Sequence, residues 1–111
     1  KRKGNMEQGN EGVVYVCQQP FRFVDLSDAL RYGRLQYLLP PGDITAGVAP
    51  IVRQLKSDLK DFSDADYILA MGAPAAIAMV GAIASKVNHG NIKVLTWDKK
   101  ESRYYAIEVS I

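Results

Sequence analysis

Between Asp66 and Ala84 the chain reads DYILAMGAPAAIAMVGAIA, and this run constrains the fold more than any other. Tyr67 to Met71 are continuously apolar, the pattern of a strand buried on both faces, and Gly72 closes it. Pro74 suits a first helical position, because its missing N–H is not needed there and its fixed φ fits the first turn. Ile77, Val80, Ile83 and Val87 then recur at helical spacing, while Ala76, Ala78, Gly81, Ala82 and Ala84 fill most of the remaining surface. A helix with no polar face before Ser85 and Lys86 is expected to be covered over most of its circumference. A strand with two apolar faces expects helices above and below it.

The same run could also suggest a membrane span, since the eighteen residues from Tyr67 to Ala84 carry no charge. The Gly-Ala-Pro break inside it, the weak hydrophobicity of alanine and glycine, and the lack of a topology signal or signal peptide argue against that. No membrane partner is expected. The expected location is cytoplasmic, in a host cell if the protein is phage-encoded.

A chain of 111 residues has room for one core. Its 48% hydrophobic and 23% charged content is that of a globular protein. A net charge of +2 falls far short of the dense basic face of a dedicated nucleic-acid binder. Cys17 is the single cysteine, which excludes an internal disulfide framework and fits a reducing compartment. Its place in an apolar strand marks it as a packing residue rather than a reactive thiol.

Lys1 to Gly12 is polar, without apolar period, and reads as a flexible leader, with residues 13–111 forming one α/β domain. The basic triplet Lys1-Arg2-Lys3 reads as a solvated tail. Val13 to Cys17 is the first strand, and Gln18-Gln19-Pro20 ends it with two amide side chains expected to be exposed. Phe21 to Leu26 is apolar without clean period, and Ser27 to Tyr32 offers a capped helical turn ended by Gly33. Arg34 to Leu39 is the second strand, stopped by Pro40-Pro41-Gly42-Asp43.

Asp43 or Thr45 can cap the next helix, whose stripe of Val48, Ile51, Val52, Leu55 and Leu59 faces a sheet. Pro50 must sit in its first turn. After the small-residue helix, Asn88-His89-Gly90-Asn91 is a loop, Ile92 to Trp97 a strand, and Asp98 to Ser102 a charged turn. From Arg103 to Ile111 the residues alternate, with Tyr105, Ile107, Val109 and Ile111 on one face, so the last two strands form an antiparallel hairpin, half-exposed at a sheet edge. This order predicts a three-layer Rossmann-like sandwich with a mostly parallel sheet of about five strands.

In such sheets ligands bind beyond the carboxyl ends of the strands. That selects Gly72, Ala73 and Pro74, where free N–H groups at a helix start can hold a phosphate or carboxylate, helped by Gln18, Thr45 and Asp98. No GxGxxG or GxxxxGK[ST] accompanies the turn, and close packing of strand on helix explains it as well. Lys99, Lys100 and Arg103 with Tyr104 bring cations beside an aromatic, a combination that can contact nucleic acid, although Asp98 and Glu101 weaken it. His89, Asp64 and Asp66 fall at the amino-end side and read as surface groups. No cofactor or metal site, nucleophile-base pair or paired catalytic carboxylates is visible, so an enzyme is not expected.

The segment GAPAAIAMVGAIASKVNHGNIKVLTWDKKESRYYAIEV, and with it roughly Tyr67 to Val109, resembles small uncharacterised proteins of tailed phages from marine and other environmental sources. The pattern is a strand, a glycine-x-proline turn, an alanine-rich helix, a strand ending in Trp-Asp and an Arg-Tyr hairpin. The resemblance implies a phage or metagenomic origin and carries over no activity or catalytic residue. The function expected is that of a non-enzymatic binding domain, self-associating through the Ala76 to Ala84 helix or meeting a host or phage protein. A small anionic ligand at the Gly72 turn is the alternative, with weak nucleic-acid binding by the hairpin a third.

Overall fold

In the computed structural model the described residues are 12–44 and 47–111, so the leader up to residue 11, its basic triplet and Thr45 lie outside them. The elements run β1 (Val13–Gln18), a 3-10 turn (Ser27–Arg31), β2 (Arg34–Leu39), α1 (Val48–Asp58), β3 (Tyr67–Leu69), α2 (Pro74–Val87), β4 (Asn91–Asp98) and β5 (Arg103–Ser110). The chain is a mixed α/β protein with a five-stranded sheet in the order β2-β1-β3-β4-β5. The first four strands of the chain pair in parallel, and β5 returns antiparallel along β4.

The order explains where each connection lies. The step from β1 to β2 crosses the sheet one way, whereas β2 to β3 and β3 to β4 cross it the other way. Right-handed connections therefore carry the 3-10 segment over one face and both helices over the other. Alternation along β1 records the division. Val13, Tyr15 and Cys17 pack with Leu55, Leu59, Phe62, Ala76, Val80 and Ala84 from the helical side. Val14 and Val16 pack with Leu26, Ala29, Leu69, Leu95 and Tyr104. Every residue of β1 is buried, Val13 to Cys17 as their continuous apolar run predicts and Gln18 against expectation.

Helix α2 starts at Pro74, as the sequence indicates, with Ala73 as N-cap. It is less covered than expected: Ala76, Val80 and Ala84 are buried, but Pro74, Ala75, Ala78, Ala82 and Lys86 are exposed. The connection after β1 does not cover this helix, because through Leu26, Ala29 and Tyr32 it packs on the opposite face of the sheet. Helix α1 includes Pro50 in its first turn and takes its N-cap from Gly47, in the left-handed region at φ 67°, rather than from Asp43. Val48 begins its apolar stripe yet stands 46% exposed, because the stripe reaches the core only from Ile51 onward. No helix among the described residues is long and apolar enough to cross a membrane.

Candidate functional site

At the carboxyl ends of the strands the central group is Gln18. Sequence reasoning places its amide in solvent beside that of Gln19; Gln19 is exposed, but Gln18 is only 5% exposed. Its Oε1 accepts the N–H of Ala73 at 2.7 Å, and its Nε2 donates to the carbonyls of Pro40 at 3.0 Å and Gly42 at 2.6 Å. One side chain thus ties the β2 stop to the β3–α2 turn. Gly72 is required at that turn twice over: its φ is +115°, and a Cβ there would run into the Gln18 side chain, within 2.7 Å of Oε1.

This geometry brings Gln18, Gly72, Ala73 and Pro74 together, but it commits the Ala73 N–H, one of the donors an anion would use, to Gln18. An anion at this turn would have to displace the amide. Asp98 stands elsewhere, at the hairpin tip, where its Oδ1 accepts the N–H groups of Lys100 at 3.0 Å and Glu101 at 3.3 Å and so closes the β4–β5 turn.

On the hairpin, Lys99, Lys100 and Arg103 are exposed, whereas Tyr104 is 6% exposed. The Tyr104 ring meets Trp97 edge-on at 4.8 Å between centroids. That contact covers a ring a base would need to stack on. Burial raises the Tyr104 phenol above its ordinary range, with a smaller contribution from the Asp28 charge. The main chain of Tyr104 is clamped by the 3-10 segment: its N–H donates to Asp28 Oδ2 at 2.6 Å, and its carbonyl accepts from Arg31 Nη2 and, at 3.1 Å, from the Tyr32 hydroxyl. The Tyr104 N–H, followed by the Arg31 guanidinium at 3.2 Å, holds the Asp28 carboxyl below its usual range.

The amino-end side of the sheet is richer than its sequence suggests. Asp66, expected as a solvated turn carboxylate, is fully buried. Its Oδ1 accepts the N–H of Val13 at 2.9 Å and its Oδ2 that of Ser63 at 2.8 Å, so it anchors the start of β1 to the turn before β3. The available signal is its position directly before an apolar strand with a serine three residues earlier. Beside it lies a polar hollow of about 440 Å³ bounded by Asp64, Asn88, Asn91 and Ser110. Those groups bond one another: Asn88 Nδ2 donates to Asp64 at 2.8 Å and Ser110 Oγ to Asn91 at 2.6 Å. His89 is exposed, with a φ of 58°. Among the described residues no three His, Cys, Asp or Glu side chains converge as a metal site.

Among the described residues, two groups of exposed apolar side chains stand out. Phe21 and Phe23, in the loop after β1, are 83% and 91% exposed. On β5, Tyr105, Ile107 and Val109 are 45%, 43% and 36% exposed. These three share the face of Ile92 through the cross-strand pairs Thr96–Tyr105, Val94–Ile107 and Ile92–Val109, the side on which α1 and α2 pack.

Compared with known proteins, residues 12–111 match the model of a family described as Phage Pam3 gp32-like protein. The chain belongs to that family, and the likeness first visible in its carboxyl half extends over nearly its whole length. No curated protein and no solved structure matches.

Proposed function

We propose that this member of the Phage Pam3 gp32-like family is a non-enzymatic α/β binding domain that acts through contact with another protein surface, a second copy of itself or a phage or host protein. The observation that carries this reading is the pair of uncovered apolar surfaces, at Phe21 and Phe23 and along Tyr105, Ile107 and Val109. Apolar side chains at neighbouring exposed positions mark protein contact more often than solvent exposure for its own sake. The exposed alanines of α2, Ala75, Ala78 and Ala82, offer a further smooth surface for close approach.

The strand order, and the placing of both helices opposite the 3-10 segment, support a Rossmann-like reading of the fold in which residues 19–33 stand in for one helical layer. In that setting the carboxyl-end crevice is the usual ligand position, and here Gln18 fills it with bonds to Pro40, Gly42 and Ala73. A small anion held by Gly72, Ala73 and Pro74 is therefore the weaker reading. Nucleic-acid binding by Lys99, Lys100 and Arg103 is weaker still, with Tyr104 buried.

Native mass spectrometry of protein purified from expressing cells tests the proposal. The expected result is an oligomer or a protein complex with no small mass retained. A monomer carrying a nucleotide-sized mass that is lost on Gly72→Asp substitution would overturn it.

A further inference from the structure

The outer edge of β5 is the least finished part of the sheet. Ile111 donates its N–H to the Gly90 carbonyl at 2.9 Å, and the register continues back through Asn91–Ser110 to Asp98–Arg103. In an antiparallel ladder this parity turns the odd-numbered residues of β5 toward β4 and the even-numbered ones outward. Tyr104, the first outward residue, has its N–H taken by Asp28 and its carbonyl by Arg31 and Tyr32. Past that clamp, Ala106, Glu108 and Ser110 present the outer edge of a strand that, among the described residues, pairs only with β4 on its other side. No proline or lysine interrupts β5. Such an edge is a template for another strand.

We infer that a second copy of this chain pairs here, β5 against β5 about a two-fold axis through Ile107. This deepens the binding-domain reading and rests on it. A second copy brings an identical edge and an identical row of apolar side chains, and the charge of Glu108 selects the register. A two-fold on Glu108 would set two carboxylates directly opposite each other, which destabilises a sheet. A two-fold on Val109 would not set Tyr105 opposite Ile107 or Val109 of the other copy. Centred on Ile107, the pairing puts Glu108 opposite Ala106 of the other copy, each Glu108 keeping Lys93 as its cross-strand neighbour within its own chain. It sets Ile107 against Ile107 and Tyr105 against Val109, so that all three exposed apolar side chains of one copy meet those of the other on the helical face. Tyr104 then falls opposite Ser110 of the other copy, and because its outward groups are already engaged the ladder bonds are confined to Ala106 and Glu108 of each copy. A two-fold contact of this kind is self-complementary and consumes the edge, giving a closed dimer rather than a fibre.

The register makes the test sharp. Between copies Ile107 would form a non-hydrogen-bonded pair with itself, with Cα atoms about 4.5 Å apart, close enough for a disulfide. The Ile107→Cys variant is expected to form a disulfide-linked dimer under mild oxidant, with native Cys17, buried in the core, as the unlinked control. Tyr105→Cys and Val109→Cys alone should stay unlinked, while a mixture of the two links. Ile107→Lys should turn the dimer into a monomer across a concentration series with its far-ultraviolet circular dichroism unchanged. Linking through Val109→Cys instead of Ile107→Cys, or no linking at all, would overturn the inference. If the protein is oligomeric in native mass spectrometry and Ile107→Cys still does not link, the edge pairing fails while the binding-domain reading stands. A monomer with no protein partner removes both.

Discussion

The Oε1 atom of Gln18 lies 2.7 Å from the main-chain nitrogen of Ala73, so the side chain that ends β1 occupies the start of α2. Its Nε2 is bonded on the other side to the Pro40 and Gly42 carbonyls. The place where a parallel sheet usually opens to a ligand is thus an internal brace.

Gln18→Ala would leave one N–H and two carbonyls without their partner in a partly buried setting. Each such orphaned group costs about 1–3 kcal/mol where water cannot replace the lost bond. Denaturant unfolding should show a loss of about that size. Gly72→Ala should cost about 1–3 kcal/mol as well, through its positive φ and the clash with the same amide. If Gln18→Ala proves neutral while the protein gains affinity for phosphate, the amide is a gate rather than a brace.

Asp66→Ala should be among the most damaging single changes, because it removes acceptors from the buried N–H of Val13 and from that of Ser63 and so loosens β1 from the β3 turn. A loss of at least about 2 kcal/mol is expected when two main-chain N–H groups lose a buried acceptor. Circular dichroism melts of the variant against the native protein measure it.

The clamp on Tyr104 gives stability a defined pH dependence. The Tyr104 N–H, and then Arg31, hold the Asp28 carboxyl below its ordinary value of 3.8. Its contribution is complete above that ordinary value and disappears as pH falls through the lower folded value, since protons then bind the folded state as well. The stability difference between the native protein and Asp28→Asn, read from urea unfolding at stepped pH, should stay constant from neutral pH down to about pH 4 and then shrink. A difference that grows in acid would contradict the clamp.

Burial pushes the Cys17 thiol up to about 11, the desolvation outweighing weaker opposing contacts from the Met71 and Cys17 main chain. Only a thiolate reacts with a disulfide reagent, so the folded protein at pH 8 should react far more slowly than the urea-unfolded one. Stopped-flow absorbance with an aromatic disulfide checks this, and comparable rates in the two states would show that the strand opens.

The succession of strands and helices along the chain, the Pro74 start of α2 and the buried Cys17 were legible in the residues because each rests on local chemistry: apolar runs, proline geometry and β-branched content. What depended on long-range pairing was not. Gln18 looked like a free amide because its partners lie at Pro40, Gly42 and Ala73, distant in sequence. Asp66 looked like a turn carboxylate because Val13, whose N–H it accepts, stands 53 residues away. Periodicity showed which β5 residues share a face, but not that this face lies beyond the reach of α2. The unexpected bareness of Ala75, Ala78 and Ala82 has the same origin: a helix of small residues reads as buried, and only the placing of residues 21–32 on the other side of the sheet exposes it.

The most direct measurement is amide hydrogen exchange along β5, resolved by residue and repeated over a dilution series. The Tyr104 amide, bonded to Asp28 within the chain, should stay protected at every concentration and serves as the internal reference. Pairing of two copies predicts that the outward amides of Ala106 and Glu108 are protected in concentrated solution and lose that protection on dilution. Fast exchange at both positions at every concentration, with Tyr104 still protected, would contradict the β5 interface.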